Sequence, residues 1–393
     1  MNLREIYLYL FFFISNIFGR ELISTNLIGI PNIKYYHIFF ISFSILNYSL
    51  FFKKFPNKKI FYAVLLVSII PFYLGLKQGN EGVFNFLIVN FSFLFYLWGY
   101  YYLNTEEKIE KFIKFLVFCF FINLIYTEIR FQFEDKSIFF SLTPLYGGKG
   151  IRQSSDTLNS LAIVSFLYYI FKKDQKNKLL ILLLILFVIY RYNVRSSFLV
   201  LFIVLLYYLL KYKIRFTAKL LSNYKIALII SLFIILMLFV NINEIKELIF
   251  KFSETNYDLR GNIIWRLTIW YDNLVSILNS GNLLVNVSGM NIDYDLTRYL
   301  GGWGYVNPHN SYIFIFTNYG LVYLLLYLLI PFKLIFSKNV YRNQNSLILT
   351  INFIILMYFG LSLGTATFEL PYQGSTIWFL IGGAVSQTCN KKY

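Results

Sequence analysis

The sequence predicts an all-α fold, a polytopic membrane helix bundle of about 12 transmembrane helices with a long extracytoplasmic loop before the tenth. Three observations predict it. Hydrophobic residues make up 58% of the chain and charged residues only 14%, with a mean hydropathy of +0.60, whereas a soluble domain carries about 25% charged residues. Uncharged apolar stretches of about 17–25 residues recur from end to end, each long enough to cross a bilayer as a helix. The basic residues gather in alternate connections between those stretches, as the positive-inside rule requires.

The first span, 5–23, follows a single basic residue, Arg4. Its apolar run Ile6–Ile14 continues into Ser15, Asn16, Ile17, Phe18, Gly19 and Arg20 without a small-residue cleavage site. It reads as a retained span rather than a removed signal peptide. Spans two and three, 35–52 and 60–76, flank the basic cluster "KKFPNKK" (53–59), and spans 83–103 and 109–127 follow. The segment 128–156, containing "PLYGGKGIRQSSD", is too long for a mere connector. Spans 157–171, 178–193, 196–211 and 226–242 are separated on one side by "KKDQKNK" (172–178) and "KYKIR" (211–215). A second long loop, 243–308, precedes spans 309–332, 346–364 and 373–388. The whole chain, 1–393, reads as one integral membrane domain.

With the N-terminus in the cytoplasm, the inner face holds 22 basic and 5 acidic residues and the outer face 14 of each. All of the +17 formal charge therefore lies on one side. This places both termini in the cytoplasm and accounts for the basicity without nucleic acid as a partner. Inside the second long loop, "IIWRLTIWYDNLVSIL" sets Ile263, Leu267, Trp270, Leu274 and Ile277 on one helical face. Asn262, Arg266 and Asn273 form an adjoining polar strip, so the helix suits the interface or the mouth of the bundle.

Charges within spans are costly and usually functional, but the span centres are nearly bare. The notable residues collect at the outer ends: Arg191 and Arg195 in "YRYNVRSSF", Arg152, Arg260, Arg266 and His309. Guanidinium forks bind phosphate oxygens bidentately, so the set suits a diphosphate. The plainer alternative is contact with lipid headgroups, or with Asp156 and Asp258. The chain has two histidines, and His37 falls in the outer part of span two. His309 follows Pro308, which is expected to start the span and put the imidazole in its first turn. A neutral imidazole there can take a proton from a hydroxyl. Its plainer role is an interfacial anchor.

Other patterns carry less. "GGKG" (147–150) lacks the Ser or Thr that a nucleotide-binding loop needs after its lysine. "DYD" (293–295) is a weak match to the Asp-x-Asp of metal-dependent sugar transferases. No metal site is expected, since no His, Cys and carboxylate cluster has ligand spacing, and no cofactor is expected either. Cys119 and Cys389 support no disulfide framework.

Four stretches together resemble the bacterial O-antigen ligase/polymerase family. "PHNSYIFIFTNYGLVYLLL" (308–326) is similar to its Pro-His-Asn-Ser-Tyr followed by a glycine-containing helix. "RLTIW" (266–270), followed by "NLVSILNSGNLL", resembles its Arg-x-x-Ile-Trp loop segment. "VRSSFLVLF" (194–202) and "IRQSSDTLNSLA" (151–162) resemble two arginine-led span starts. The likeness covers about residues 145–330. It implies a metal-independent glycosyltransferase of the bacterial inner membrane, working at the periplasmic face on an undecaprenyl-diphosphate-linked oligosaccharide. Arg195 and Arg266 would hold the diphosphate, with Arg152, Arg260 and Arg191 as helpers. His309 would activate the acceptor hydroxyl, and Asn310 and Tyr312 would touch substrate. Membrane lipid and a chain-length regulator protein are the other implied partners. Analogy favours the O-antigen or capsule repeat-unit polymerase over the ligase that transfers polymer to lipid A–core. A flippase of lipid-linked oligosaccharides would show charged cavities or inverted repeats with broken helices, and the sequence shows neither.

Overall fold

The computed structural model describes residues 2–24, 26–27, 30–77, 80–135, 149–171, 178–191, 270, 274, 310–335, 346–363, 368 and 371–390. Apart from one short hairpin, the described elements are helices, as the apolar runs predict. α1 (Leu3–Ser24) opens with a capping box, in which Asn2 Oδ1 accepts from Glu5 N at 2.9 Å and Glu5 Oε2 from Asn2 N at 3.2 Å. β1 (Asn26–Leu27) and β2 (Ile30–Lys34) pair antiparallel in the connection to α2 (Tyr35–Leu46). This hairpin is not foreseen in the all-α reading.

The expected span 35–52 divides at Asn47 into α2 and α3 (Tyr48–Phe52). Asn47 turns its amide back to Phe43 O at 2.9 Å, and its Oδ1 accepts from Tyr102 OH at 2.7 Å. The expected span 60–76 turns at Ser68 between α4 (Lys58–Val67) and α5 (Ile69–Lys77). Pro71 lacks the N–H that would bond the preceding turn, and Ser68 Oγ bonds Leu65 O at 2.6 Å. α6 (Asn80–Tyr102), α7 (Glu106–Asp135), α8 (Lys149–Phe171) and α9 (Lys178–Arg191) follow. α7 and α8 take up both ends of the expected 128–156 loop. The end of the chain supplies α10 (Ser311–Ile335), α11 (Ser346–Leu361) and α12 (Pro371–Asn390).

Segments 106–130 and 311–335 are helices long and apolar enough to cross a membrane, and 36–46, 157–171 and 347–361 are shorter apolar helices. Spans 196–211 and 226–242 lie outside the described residues, as does the loop 243–308 except for Trp270 and Leu274. Those two are helical and half-buried.

The centre of the bundle is the contact of α6 with α12. A Cβ at Gly99 would lie 2.0 Å from Phe379 O, and one at Gly382 would lie 2.2 Å from Tyr96 O. Only glycine lets the two backbones approach this closely. Around the contact, Phe11 stacks on Phe39 at 4.1 Å and Phe93 meets Trp378 edge-on at 4.7 Å. Trp378 Nε1 donates to Tyr327 OH at 2.5 Å, so the indole carries no unmet donor in the core.

α10 is interrupted at Gly320, whose φ of 86° and ψ of 169° no L-residue adopts without strain. Across it, Tyr319, Tyr323 and Tyr327 stack in sequence at 4.7 and 5.7 Å.

Candidate functional site

Long-range pairs fix which helix ends meet. Gln373 bonds Ser160, Tyr323 bonds Asn90, and a Cβ at Gly374 would meet Ser92. The starts of α6, α8, α10 and α12 therefore share one end of the bundle. Asn123 bonds Asn16 O, Arg191 bonds Glu128 and Ser311 bonds Ser362. The far parts of α1, α7, α9 and α11 belong to that same end. Buried polar side chains concentrate there, among them Asn16, Asn90, Asn123, Glu128, Asn159, Ser160, Arg191, Asn310, Ser311, Ser362 and Gln373.

Asn310 organises the start of α10. Its Oδ1 accepts from Tyr312 N at 3.0 Å and Ile313 N at 3.1 Å, satisfying two donors of the first turn. Its Nδ2 donates to Leu363 O at 3.2 Å, just past α11. Ser311 N donates to Ser362 O at 2.9 Å, and Ser311 Oγ accepts from Phe368 N at 3.1 Å. Tyr312 OH donates to Phe359 O at 2.7 Å. The first turn of α10 is thus clamped by the 359–368 segment.

Two expectations change here. The described helix begins at Ser311 with Asn310 as its cap, two residues later than a start that puts His309 in the first turn. Asn310 and Tyr312, expected to touch substrate, commit these polar atoms to the fold. His309 itself lies outside the described residues.

Arg191 also differs from its expected place among surface arginines. It ends α9 fully enclosed, with Nε 2.5 Å from Glu128 Oε1 and Nη2 2.8 Å from Glu128 Oε2. Both side chains have 0% exposure. The bidentate fork meets a carboxylate that sequence reading assigned to a loop. Just before Glu128 on α7, Thr127 Oγ1 donates to Asn123 Oδ1 at 3.0 Å. Asn123 in turn donates to Asn16 O at 2.6 Å and Ile17 O at 3.0 Å. The signal that could have found this pair is a lone carboxylate inside "INLIYTEIRF", facing an arginine at the matching end of a later span.

Arg152 lies on the first part of α8, within Lys149–Phe171. Arg195, Arg260 and Arg266 lie outside the described residues. His37 is buried at the start of α2, its ring 4.1 Å from Tyr36 and 6.1 Å from Phe91. Among the described residues, no three His, Cys, Asp or Glu side chains come together.

Comparison with protein families matches residues 180–328 to the O-antigen ligase family. No curated protein matches the chain. The matched stretch includes Arg191, Arg195, Arg260, Arg266, His309, Asn310 and Tyr312, and ends within α10; Arg152 precedes it. Members of the family are membrane enzymes that act on lipid-linked glycans, in keeping with the apolar helices of this chain. Residues 180–328 are thus similar to the O-antigen ligase family, the one that its arginine and Pro-His-Asn-Ser-Tyr motifs resemble.

Proposed function

We propose that the protein is a repeat-unit polymerase for O-antigen or capsular polysaccharide, joining undecaprenyl-diphosphate-linked oligosaccharides at the periplasmic face of the inner membrane. The observation that carries this reading is the family match over 180–328, which contains Arg195, Arg266 and His309 in one stretch. His309 takes the proton of an acceptor hydroxyl as its oxygen bonds to the anomeric carbon of the donor sugar. The bond from that carbon to the diphosphate oxygen breaks, and undecaprenyl diphosphate leaves. Arg195 and Arg266, helped by Arg152 and Arg260, stabilise charge growing on the leaving group, which needs no metal. Asn310 acts through position, because its cap anchors the residue next to His309. Arg191 has the same kind of role on α9, through Glu128.

Loss of a polymerase leaves surface glycolipid carrying a single repeat, because ligation continues without elongation. That is the expected phenotype of a deletion strain, and His309→Ala should reproduce it at normal protein levels. Wild-type chain length in the His309→Ala strain would remove the histidine from the chemistry. The match to the O-antigen ligase family favours one second reading, the ligase. It predicts bare lipid A–core with long chains held on the polyprenyl carrier.

A further inference from the structure

The end of the bundle opposite Asn310 carries a basic turn whose backbone is bonded by side chains from α4 and α6. Lys53, Lys54, Lys58 and Lys59 fall within seven residues, and the sequence from 22 to 80 contains no Asp or Glu. Among the described residues none of the four has an ion-pair partner. Three tyrosine hydroxyls hold the turn's backbone: Tyr62 donates to Phe51 O, Tyr101 to Lys54 O at 3.1 Å, and Tyr96 to Pro56 O at 2.9 Å. Lys58 Nζ sits 3.2 Å from both Phe52 O and Lys53 O, closing the end of α3, and 5.6 Å from the Tyr62 ring. The backbone of the turn is therefore tied down, and Lys58 is held at the head of α4 with Lys59 exposed beside it.

A shallow, open groove of about 720 Å³ along one face of α4 begins at Lys58 and Lys59 and continues past Tyr62, Ala63 and Leu66 to Ile69. Leu66 and Ile69 are 68% and 55% exposed, so beyond the lysines the groove offers aliphatic surface. A ligand that fits both parts has an anionic head and a hydrocarbon tail. We propose that this groove is a binding site for an anionic glycerophospholipid, with its phosphate against Lys58 and Lys59 and an acyl chain along α4. Adjacent ammonium groups without acidic neighbours select a negative headgroup, and the groove selects a chain beside it. The site is separate from the proposed reaction centre and does not depend on that reading.

The test uses the full-length protein, delipidated in mild detergent and titrated with phosphatidylglycerol or phosphatidylcholine. Bound lipid is counted by native mass spectrometry. One phosphatidylglycerol should be retained well below the concentration at which phosphatidylcholine binds. The double variant Lys53→Gln/Lys59→Gln, which keeps the Lys58 closure of α3, should weaken retention by about tenfold. Ala63→Trp fills the groove, leaves all four lysines and should give a similar loss. Gln at Lys172 and Lys173, an equal charge change elsewhere, should leave retention unchanged. Equal binding of both lipids, an equal loss in that control, or full retention by Ala63→Trp would each overturn the proposal. Displacement of phosphatidylglycerol by equimolar polyprenyl diphosphate would assign the groove to a substrate lipid and overturn it too.

Discussion

Where α6 meets α12, backbone lies against backbone, with Gly99 and Gly382 admitting a carbonyl from the facing helix and aromatic rings filling the sides. At the Asn310 end the described helices meet through side-chain amides, hydroxyls and the Arg191–Glu128 ion pair. Apolar helices in lipid gain little from hiding apolar surface, because the tails outside are as apolar as the core. Shape holds the first region together. The second is held by polar groups whose desolvation is tolerable only while each keeps its partner. The shape-built region can serve as a scaffold, and the polar end, with polar groups already desolvated, is where a reaction on a charged lipid can be housed.

The largest effect should come from closing the glycine contact. Gly99→Leu forces α6 off α12, and overpacking of this kind costs about 3 kcal/mol even where only side chains must move. Here the obstacle is backbone, so folded protein recovered on fluorescence-detected gel filtration should nearly vanish. Normal recovery would mean the two helices are held by something other than close approach. Next comes the ion pair. Glu128→Ala strands an enclosed arginine and should cost about 3–5 kcal/mol, whereas Glu128→Leu combined with Arg191→Met should restore most of the melting temperature. If the single and double variants melt alike, the polar end is no more partner-dependent than the glycine contact.

A smaller change is expected at the cap. Asn310→Ala should lower stability by about 1 kcal/mol, yet reduce glycan chain length by more than that loss explains, because it loosens the residue beside His309. Asn310→Asp keeps an acceptor for Tyr312 N and Ile313 N but gives up the bond to Leu363 O, and should fall between. Chain lengths that follow stability alone would make the cap purely structural. Smallest of all, Tyr327→Phe removes the acceptor of Trp378 Nε1 and should cost about 1 kcal/mol in thermal unfolding, with synthesis intact.

Most helices were legible because an apolar run of span length has few other uses. Their breaks were less so. Asn47 interrupts a span through Tyr102, a partner 55 residues away, and no local pattern announces it. Glu128 falls just past the expected span 109–127, in the expected loop 128–156. Its partner, 63 residues on, makes the helix continue instead. Of the site, the Pro-His-Asn-Ser-Tyr motif and the arginine order were legible as pattern and match a family. The jobs of Asn310 and Arg191 were not, since a capping amide and a buried fork look the same in sequence as ligands for a substrate.

The interruption at Gly320 has a consequence in handedness. Its φ of 86° and ψ of 169° are the mirror image of extended backbone that an ordinary L-residue adopts with ease. Position 320 thus behaves as a right-handed glove offered to left-handed amino acids. Every chiral residue that translation supplies is strained there, alanine included. A chemically installed D-alanine would meet the required backbone angles without that strain, so mirror-image substitution distinguishes a demand for this geometry from a demand for small size.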